Sequence, residues 1–269
     1  MSMYSKVLTA TALALVMTCQ QEPPAQNTPG AQRIWDAVLT AKGGSARLKS
    51  VTILVTSSVR RATRRPAGAF EDAIVDTVLG LPDRFWMWED YRPESIGFSV
   101  QVFNPHDRLY WIADNGGEPR SIDLTKAIER GRASLLEEKQ LVYLLESTFV
   151  QPADLRLVDS GSDDAHLCIE ARSRHFARIR YTIDRAASEV TTISLWPLVE
   201  MEGREPFEAS SSVDYEFYGH QVVDGIQFPE GVRGLGDLTF VVNPKIDPQL
   251  FRTPPDNVTR RDEWRRWVR

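Results

Sequence analysis

The fold is decided by residues 81–91, which read LPDRFWMWEDY. Pro82 and Asp83 break the chain, and residues 85–88 are then apolar at every position. Successive side chains of a β-strand point to opposite faces of the sheet, so this strand is apolar on both faces. Because an antiparallel sheet commonly leaves one face to water, two apolar faces predict cover on both sides. We expect a core or helices on one face of the sheet and a hydrophobic cavity or ligand on the other. The alternative is ordinary core packing around the two helical segments.

Strand-like segments continue on both sides of this stretch and define the fold class. They recur at roughly 10–15 residues with turn residues between them, which predicts an antiparallel meander. The predicted strands are 51–59, 70–79, 84–91, 95–103, 109–113, 155–160, 165–171, 177–184, 191–195, 211–218, 222–233 and 238–243. Strands and helices do not alternate, which argues against a Rossmann or TIM arrangement.

Two segments have helical periodicity. Apolar residues at helical spacing predict a helix over 33–42, which Gly43-Gly44 ends. A longer helical stretch is predicted over 124–149, with Asp123 as its N-cap. Gly131 leaves open a division of this stretch into two helices. A long sheet that curves around such amphipathic helices can enclose a hydrophobic cleft.

The N-terminal residues predict export. Residues 1–18 have the pattern of a signal peptide, with Lys6 before an apolar run that is too short to span a bilayer. Residues 16–19, VMTC, resemble a bacterial lipobox, which predicts acylation of Cys19 at the new N-terminus. A plain secretory signal is the alternative. The Pro- and Gln-rich residues 19–31 predict a flexible tether.

The C-terminal residues 256–269 form a basic tail. Trp264 and Trp267 lie three positions apart among arginines, which predicts a short amphipathic helix. Such a helix either docks on the domain through its tryptophans or contacts anionic lipid headgroups.

Composition and motifs exclude several functions. The chain has 269 residues and a net charge of −5, so it lacks the basic surplus of a general nucleic-acid binder. It has no nucleophile elbow, no P-loop and no metal-ligand spacing among its histidines. His166 and Cys168 share one strand face, but a packing role for Cys168 is favoured over a catalytic pair. We therefore expect no enzymatic activity, no cofactor and no metal.

A series of short motifs carries a resemblance to a known family. In chain order, the motifs are Ala37 with Gly43-Gly44 and Leu48, LPDRF at 81–85, YTID at 181–184, Asp214-Tyr215, VDGIQFP at 223–229 and NPKIDPQLFRTP at 243–254. Over residues 32–255 they resemble the LolA-like superfamily of periplasmic lipoprotein carriers, which includes LppX-type lipoproteins and RseB-like sensor domains. Trp86 departs from the family pattern, where a polar or charged residue is usual, and the basic tail has no counterpart.

The resemblance implies a fold class that is mostly β with α. It is a single curved antiparallel sheet of about 10–12 strands, forming an unclosed half-barrel with helices in its mouth. The family has no catalytic residues, and its implied activity is to hold acyl chains or another hydrophobic ligand. With inward faces assigned by strand alternation, the predicted ligand cavity is lined by Phe85, Met87, Phe98, Val100, Val102, Ile179, Tyr181, Tyr215 and Phe217.

Together these features predict a non-enzymatic protein of the bacterial envelope, on the periplasmic side and membrane-anchored through Cys19. It binds or carries a lipid, an acyl chain or a lipoprotein, with helix 124–149 as a movable lid. The alternative is a sensor or interaction lipoprotein that uses the same fold without transport. The expected partners are a lipid or lipidated ligand and a membrane surface or envelope protein, but no nucleic acid.

Overall fold

The computed structural model describes residues 28–60, 73–90, 97–115, 117–147, 152–201 and 204–252. The predicted signal peptide at 1–18, Cys19, the first part of the tether and the basic tail at 256–269 lie outside the described residues. The same holds for the side chain of Phe98.

The first half of the sheet is a simple meander in which each strand pairs antiparallel with the next. Its strands are β1 (Ile53–Arg60), β2 (Ala73–Gly80), β3 (Arg84–Asp90), β4 (Phe98–Asn104), β5 (Leu109–Asp114) and β6 (Arg120–Ser121). The predicted break at Pro82-Asp83 lies in the turn between β2 and β3.

A second meander completes the sheet. Its strands are β7 (Ala153–Val158), β8 (His166–Arg172), β9 (Phe176–Asp184), β10 (Glu189–Val199), β11 (Phe207–Glu208), β12 (Val213–Val223), β13 (Ile226–Val232) and β14 (Gly236–Val242). β11 branches from β10, and β12 takes the place beside β10 in the main sheet. The pair β1–β14, with Leu54 opposite Val242, joins the two meanders.

The described strands form one antiparallel sheet of fourteen that does not close. Its two edges are β6 and β7. The predicted fold class, an open half-barrel that is mostly β, is therefore confirmed. The strand count exceeds the prediction because β6 and β11 have only 2 residues each, too few for alternation to be visible in sequence.

Two helices lie at the start of the domain. α1 is Pro29–Lys42 and α2 is Ser45–Lys49. α1 begins before residue 33, so the last residues assigned to the tether belong to it; a proline is favourable in the first helical turn. Gly43 ends α1 as predicted, with φ 125°. A side chain there is excluded because its Cβ would lie 2.4 Å from the Gly225 carbonyl oxygen.

The long helix α3 is Lys126–Leu144 and runs without a break through Gly131. Its N-cap is Thr125 and not Asp123, since the Thr125 hydroxyl accepts a hydrogen bond from the Ile128 backbone N–H. In the chain α3 follows β6 and precedes β7, so it connects the two opposite edges of the sheet. No helix among the described residues combines the length and apolarity needed to cross a bilayer.

The first meander is apolar on both faces, as residues 85–88 predict. Phe85 and Met87 belong to the large inner core with α1 and α3. Trp86 and Trp88 face the other way, and each is only 1% exposed. A separate outer core buries them, composed of Val55, Val78, Trp86, Trp88, Val100, Val102, Leu250 and Phe251. The 3₁₀ helix Pro248–Phe251 thus caps the outer face.

Candidate ligand site beneath the long helix

The structure divides the predicted cavity residues between the two faces of the sheet. The inner core contains Phe85, Met87, Ile179, Tyr181 and Tyr215, with Phe217 packed against it. Val100 and Val102 lie in the outer core, so their assignment to an inward face is wrong. The register gives the reason: Trp86 stands opposite Val102, and Trp88 opposite Val100. Directly opposed residues of paired strands share a face.

The chain's own helices fill the inner face of the second meander. The Trp35 ring of α1 lies 4.6 Å from the ring of Tyr181 on β9. Farther along, the Phe240 ring lies 5.4 Å from Tyr143 of α3. A cavity of about 30 Å³ lies beside Lys42. The predicted inner residues of this half therefore serve as core in this conformation.

A larger cavity lies between the first half of α3 and the β5–β6 edge of the sheet. Its volume is about 460 Å³, within the range of about 300–1,000 Å³ that is common for small-molecule sites. Its lining comprises Tyr110, Ile112, Arg120, Ile122, Ala127, Ile128, Gly131 and Arg132. Three isoleucines and Ala127 supply an apolar part of the lining, and Arg120 and Arg132 supply its charged part. A Cβ on Gly131 would meet no atom within 4 Å, so the helix presents open space there.

The cavity wall contains an ordered polar network. Arg132 Nη1 donates a hydrogen bond to Gln101 Oε1 at 2.9 Å, and the guanidinium carbon lies 4.7 Å from the Tyr110 ring centroid. The Tyr110 hydroxyl donates to the same Gln101 oxygen at 3.0 Å. The Gln101 amide nitrogen donates in turn to Glu89 Oε2 at 3.3 Å. Burial raises the pKa of Tyr110, so its hydroxyl remains a donor at neutral pH.

Side chains of the second half of α3 tie it to both meanders. Gln140 Nε2 donates to the Pro82 carbonyl oxygen at 2.8 Å. The Tyr215 hydroxyl on β12 donates to Glu138. At the end of the helix, the Ser45 hydroxyl donates to Glu146 Oε1 at 3.1 Å. The buried residues of α3 lie from Leu136 onward, so the half above the cavity is the less buried half.

Two buried titratable groups, one on the second half of α3 and one beside it, were not indicated by the sequence patterns. Glu137 is fully buried, and His175 Nε2 lies 3.7 Å from its Oε2. Burial raises the pKa of Glu137, while Ser173 and Arg174 partly oppose the rise. Burial lowers the pKa of His175 to about 4, so this imidazole is neutral at physiological pH.

A further buried titratable group, Lys42, lies at the end of α1 and is 8% exposed. Its ammonium donates to the Gln227 carbonyl oxygen at 2.7 Å. Burial lowers the pKa of Lys42 to about 7.

Cys168 and His166 do not form a pair. Cys168 is buried with Sγ 3.8 Å from Thr182 Oγ1, whereas His166 Nδ1 lies 3.0 Å from Asp163 in an exposed turn. Among the described residues, no cluster of three or more histidine, cysteine or acidic side chains has a metal-binding arrangement.

The cavity-lining residues Ile122, Ile128 and Arg132 were not predicted from sequence. Two signals could have indicated this region. A glycine inside a helical pattern, here Gly131, often has a packing or functional reason. A polar residue in an apolar strand, here Gln101, indicates that its side chain has hydrogen-bond partners on the face it occupies, because burial of an unpaired polar group is costly.

Comparisons with known proteins give likenesses of fold. No family model matches the chain, and no curated protein matches it. A solved structure of a DUF1329 family protein from Desulfovibrio piger is similar at 11% identity and a TM-score of 0.40, over 83% of this chain and 98% of that one. A LolA superfamily protein from Nitrosomonas europaea is similar at 11% identity and a TM-score of 0.42, over 78% of this chain and 91% of that one.

Proposed function

We propose that this protein binds the hydrophobic chain of a lipid or lipidated molecule in the cavity beneath the first half of α3. The observation that carries the proposal is the 460 Å³ cavity with its mostly apolar lining, to which α3 contributes Ala127, Ile128 and Gly131. Each buried methylene contributes about 0.8 kcal/mol, so part of one acyl chain supplies useful affinity. No catalytic step is required of the residues that line it.

The uneven burial of α3 supports a role for its first half as the movable part of the site. The second half is fixed to Pro82 and Tyr215, and its inward side chains are buried. Displacement of the first half would extend the cavity toward Phe85 and Met87, which belong to the same inner core as Tyr110. These two residues of the predicted cavity therefore stay in the proposal as its inner end.

An interaction or sensor role without transport is the second candidate. The close packing of Trp35 on Tyr181 favours it, because these helix and strand side chains occupy the inner face of the second meander, and the cavity beside Lys42 measures only about 30 Å³. We propose a periplasmic location with an anchor at Cys19 for either role, which the mass of the N-terminal peptide would test. An acylated Cys19 favours a receptor or sensor, since an anchored protein does not shuttle freely.

The test is native mass spectrometry of the full chain, purified in mild non-ionic detergent from membrane-containing cells. Gly131 lines the cavity, so Gly131→Phe adds a ring at its helical wall. Gly30→Phe is the matched control, because a Cβ at this α1 position also meets no atom within 4 Å and Gly30 is not a lining residue. We expect an extractable lipid adduct on the wild type and on Gly30→Phe. We expect at least a tenfold smaller adduct on Gly131→Phe.

Bare protein in every preparation would remove the binding proposal and leave the interaction role. An adduct of equal occupancy on a folded Gly131→Phe would place the ligand elsewhere in the inner core.

A further inference from the structure

From the charges at the cavity we infer that the ligand carries an anionic headgroup, a carboxylate or a phosphate, which Arg132 binds while its chain enters the cavity. This inference rests on the proposed function and names the class of amphiphile that the site accepts. The observations that carry it are the position of Arg132 and the lack of an ionic partner for it within the part of the chain that the structure describes.

Arg132 lines the cavity and forms no ion pair among the described residues, in contrast to its neighbours. Arg120, the other arginine of the lining, is bound to Asp114 at 2.8 Å. Arg130, also on α3, is bound to Glu200 at 2.5 Å. Arg132 instead holds the neutral carbonyl oxygen of Gln101, so its positive charge is not compensated by direct contact.

The contacts of Arg132 orient it without using up its donors. A guanidinium has several N–H groups in a fixed plane, and one of them is engaged by Gln101. The Tyr110 ring supports the guanidinium from one side. An arginine held in this way binds a carboxylate or phosphate through paired charge-assisted hydrogen bonds at a small entropic cost.

The acidic group of the polar network contacts Gln101 and not Arg132. Glu89 lies beyond Gln101 in the network, where it accepts a hydrogen bond from the amide nitrogen of that residue. The Gln101 amide therefore separates the Glu89 carboxylate from the Arg132 guanidinium. Arg132 is partly exposed, so a bound headgroup keeps contact with water while the chain lies between Ile122 and Ile128.

The test compares three ligands with the same ten-carbon chain: decanoate, decyl phosphate and decanol. Binding to the full chain is measured by calorimetry at pH 8 and low salt. We expect the anionic ligands to bind at least tenfold more tightly than decanol. Arg132→Gln should remove this preference and leave decanol unchanged, while Arg132→Lys should keep part of it.

Arg130→Gln is the matched control, since it removes a neighbouring charge of the same helix outside the cavity. Equal affinities for all three ligands would overturn the headgroup inference and leave the cavity proposal standing. Failure of all three to bind would overturn the cavity proposal itself. The ratio of decanoate to decyl phosphate affinity distinguishes a fatty-acid ligand from a phospholipid one.

Discussion

The Tyr215 hydroxyl on β12 donates a hydrogen bond to Glu138 of α3, and it does so from the inner face of the sheet. Burial raises the pKa of Tyr215, and the nearby Glu138 carboxylate adds to the rise. The hydroxyl is thus a permanent donor. Tyr215, a residue of the predicted ligand cavity, thus fixes the long helix to the second meander.

Tyr215→Phe should loosen α3 without unfolding the sheet. Loss of one hydrogen bond to a carboxylate costs about 1–3 kcal/mol, because the carboxylate keeps its desolvation penalty. We expect faster hydrogen exchange in the second half of α3, measured by mass spectrometry. Tyr218→Phe is the control on the same strand, because its hydroxyl donates to Asp237 of β14 at 2.8 Å and not to α3. Equal exchange in both variants would show that Tyr215 does not restrain the helix.

Glu137→Gln should stabilise the protein at neutral pH. The raised pKa of Glu137 means that its contribution to stability is full below about pH 4.5 and is lost as the pH rises through the folded-state pKa. The glutamine side chain does not ionise, so the variant avoids this loss of stability. We expect its free energy of unfolding to exceed that of the wild type by about 1–3 kcal/mol at pH 7.5, and the difference to shrink toward pH 4.5. Urea unfolding at several pH values measures it. The exposed Glu129→Gln on the same helix should show no such trend, and a parallel pH profile for Glu137→Gln and wild type would contradict the prediction.

The stability gained by Lys42→Met should be largest at low pH, whereas the stability gained by Glu137→Gln should be largest at high pH. A lysine whose pKa is lowered to about 7 destabilises the fold while it is charged, and the fold recovers stability as the pH rises from 7 toward 10.5. We expect Lys42→Met to gain on the order of 2–4 kcal/mol at pH 6. The gain should fall by pH 10, where the wild type retains its hydrogen bond to Gln227. Thermal unfolding checks this, with the exposed Lys49→Met as control. A gain that is constant with pH would refute the role of the buried charge.

Phe251→Ala should destabilise the protein strongly. Phe251 is 1% exposed in the outer core, its ring lies 4.9 Å from the Arg84 guanidinium, and its carbonyl accepts a hydrogen bond from Asn104. Truncation of a buried phenylalanine costs about 3–5 kcal/mol. The same substitution at Phe207, which is 46% exposed, should cost far less. Guanidinium unfolding compares the two, and similar midpoints would mean that the 3₁₀ helix does not support the sheet.

The positions of the long strands were predictable because alternation and turn chemistry coincide. Asp224 and Gly225 have φ 49° and 71°, the left-handed conformations that their residue types favour, and they connect Val223 directly to Ile226. Such turns are local, so they can be identified before the tertiary structure is known. The two-residue strands β6 and β11 are too short to show an alternating pattern, and they form because they pair with β5 and β10.

The inward face of β4 was not predictable from its own residues. Its sequence, FSVQVF, places Val100 and Val102 on one side and Gln101 on the other, which is the usual pattern of a valine face toward a core. Both faces of this meander are covered, however, and the register puts Gln101 on the inner side, opposite Met87. Alternation shows that two faces differ, but not which of them is inside.

Residues 248–251 cover the outer face of the first meander, and this affects how the protein folds while it is being synthesised. Trp86 and Trp88 emerge early during synthesis, whereas Leu250 and Phe251, which complete the outer core around them, are made after all fourteen strands. Until then the first meander presents an apolar surface that attracts other unfolded chains. Separation of unfinished copies from one another, until residues 248–251 have docked, therefore favours correct folding.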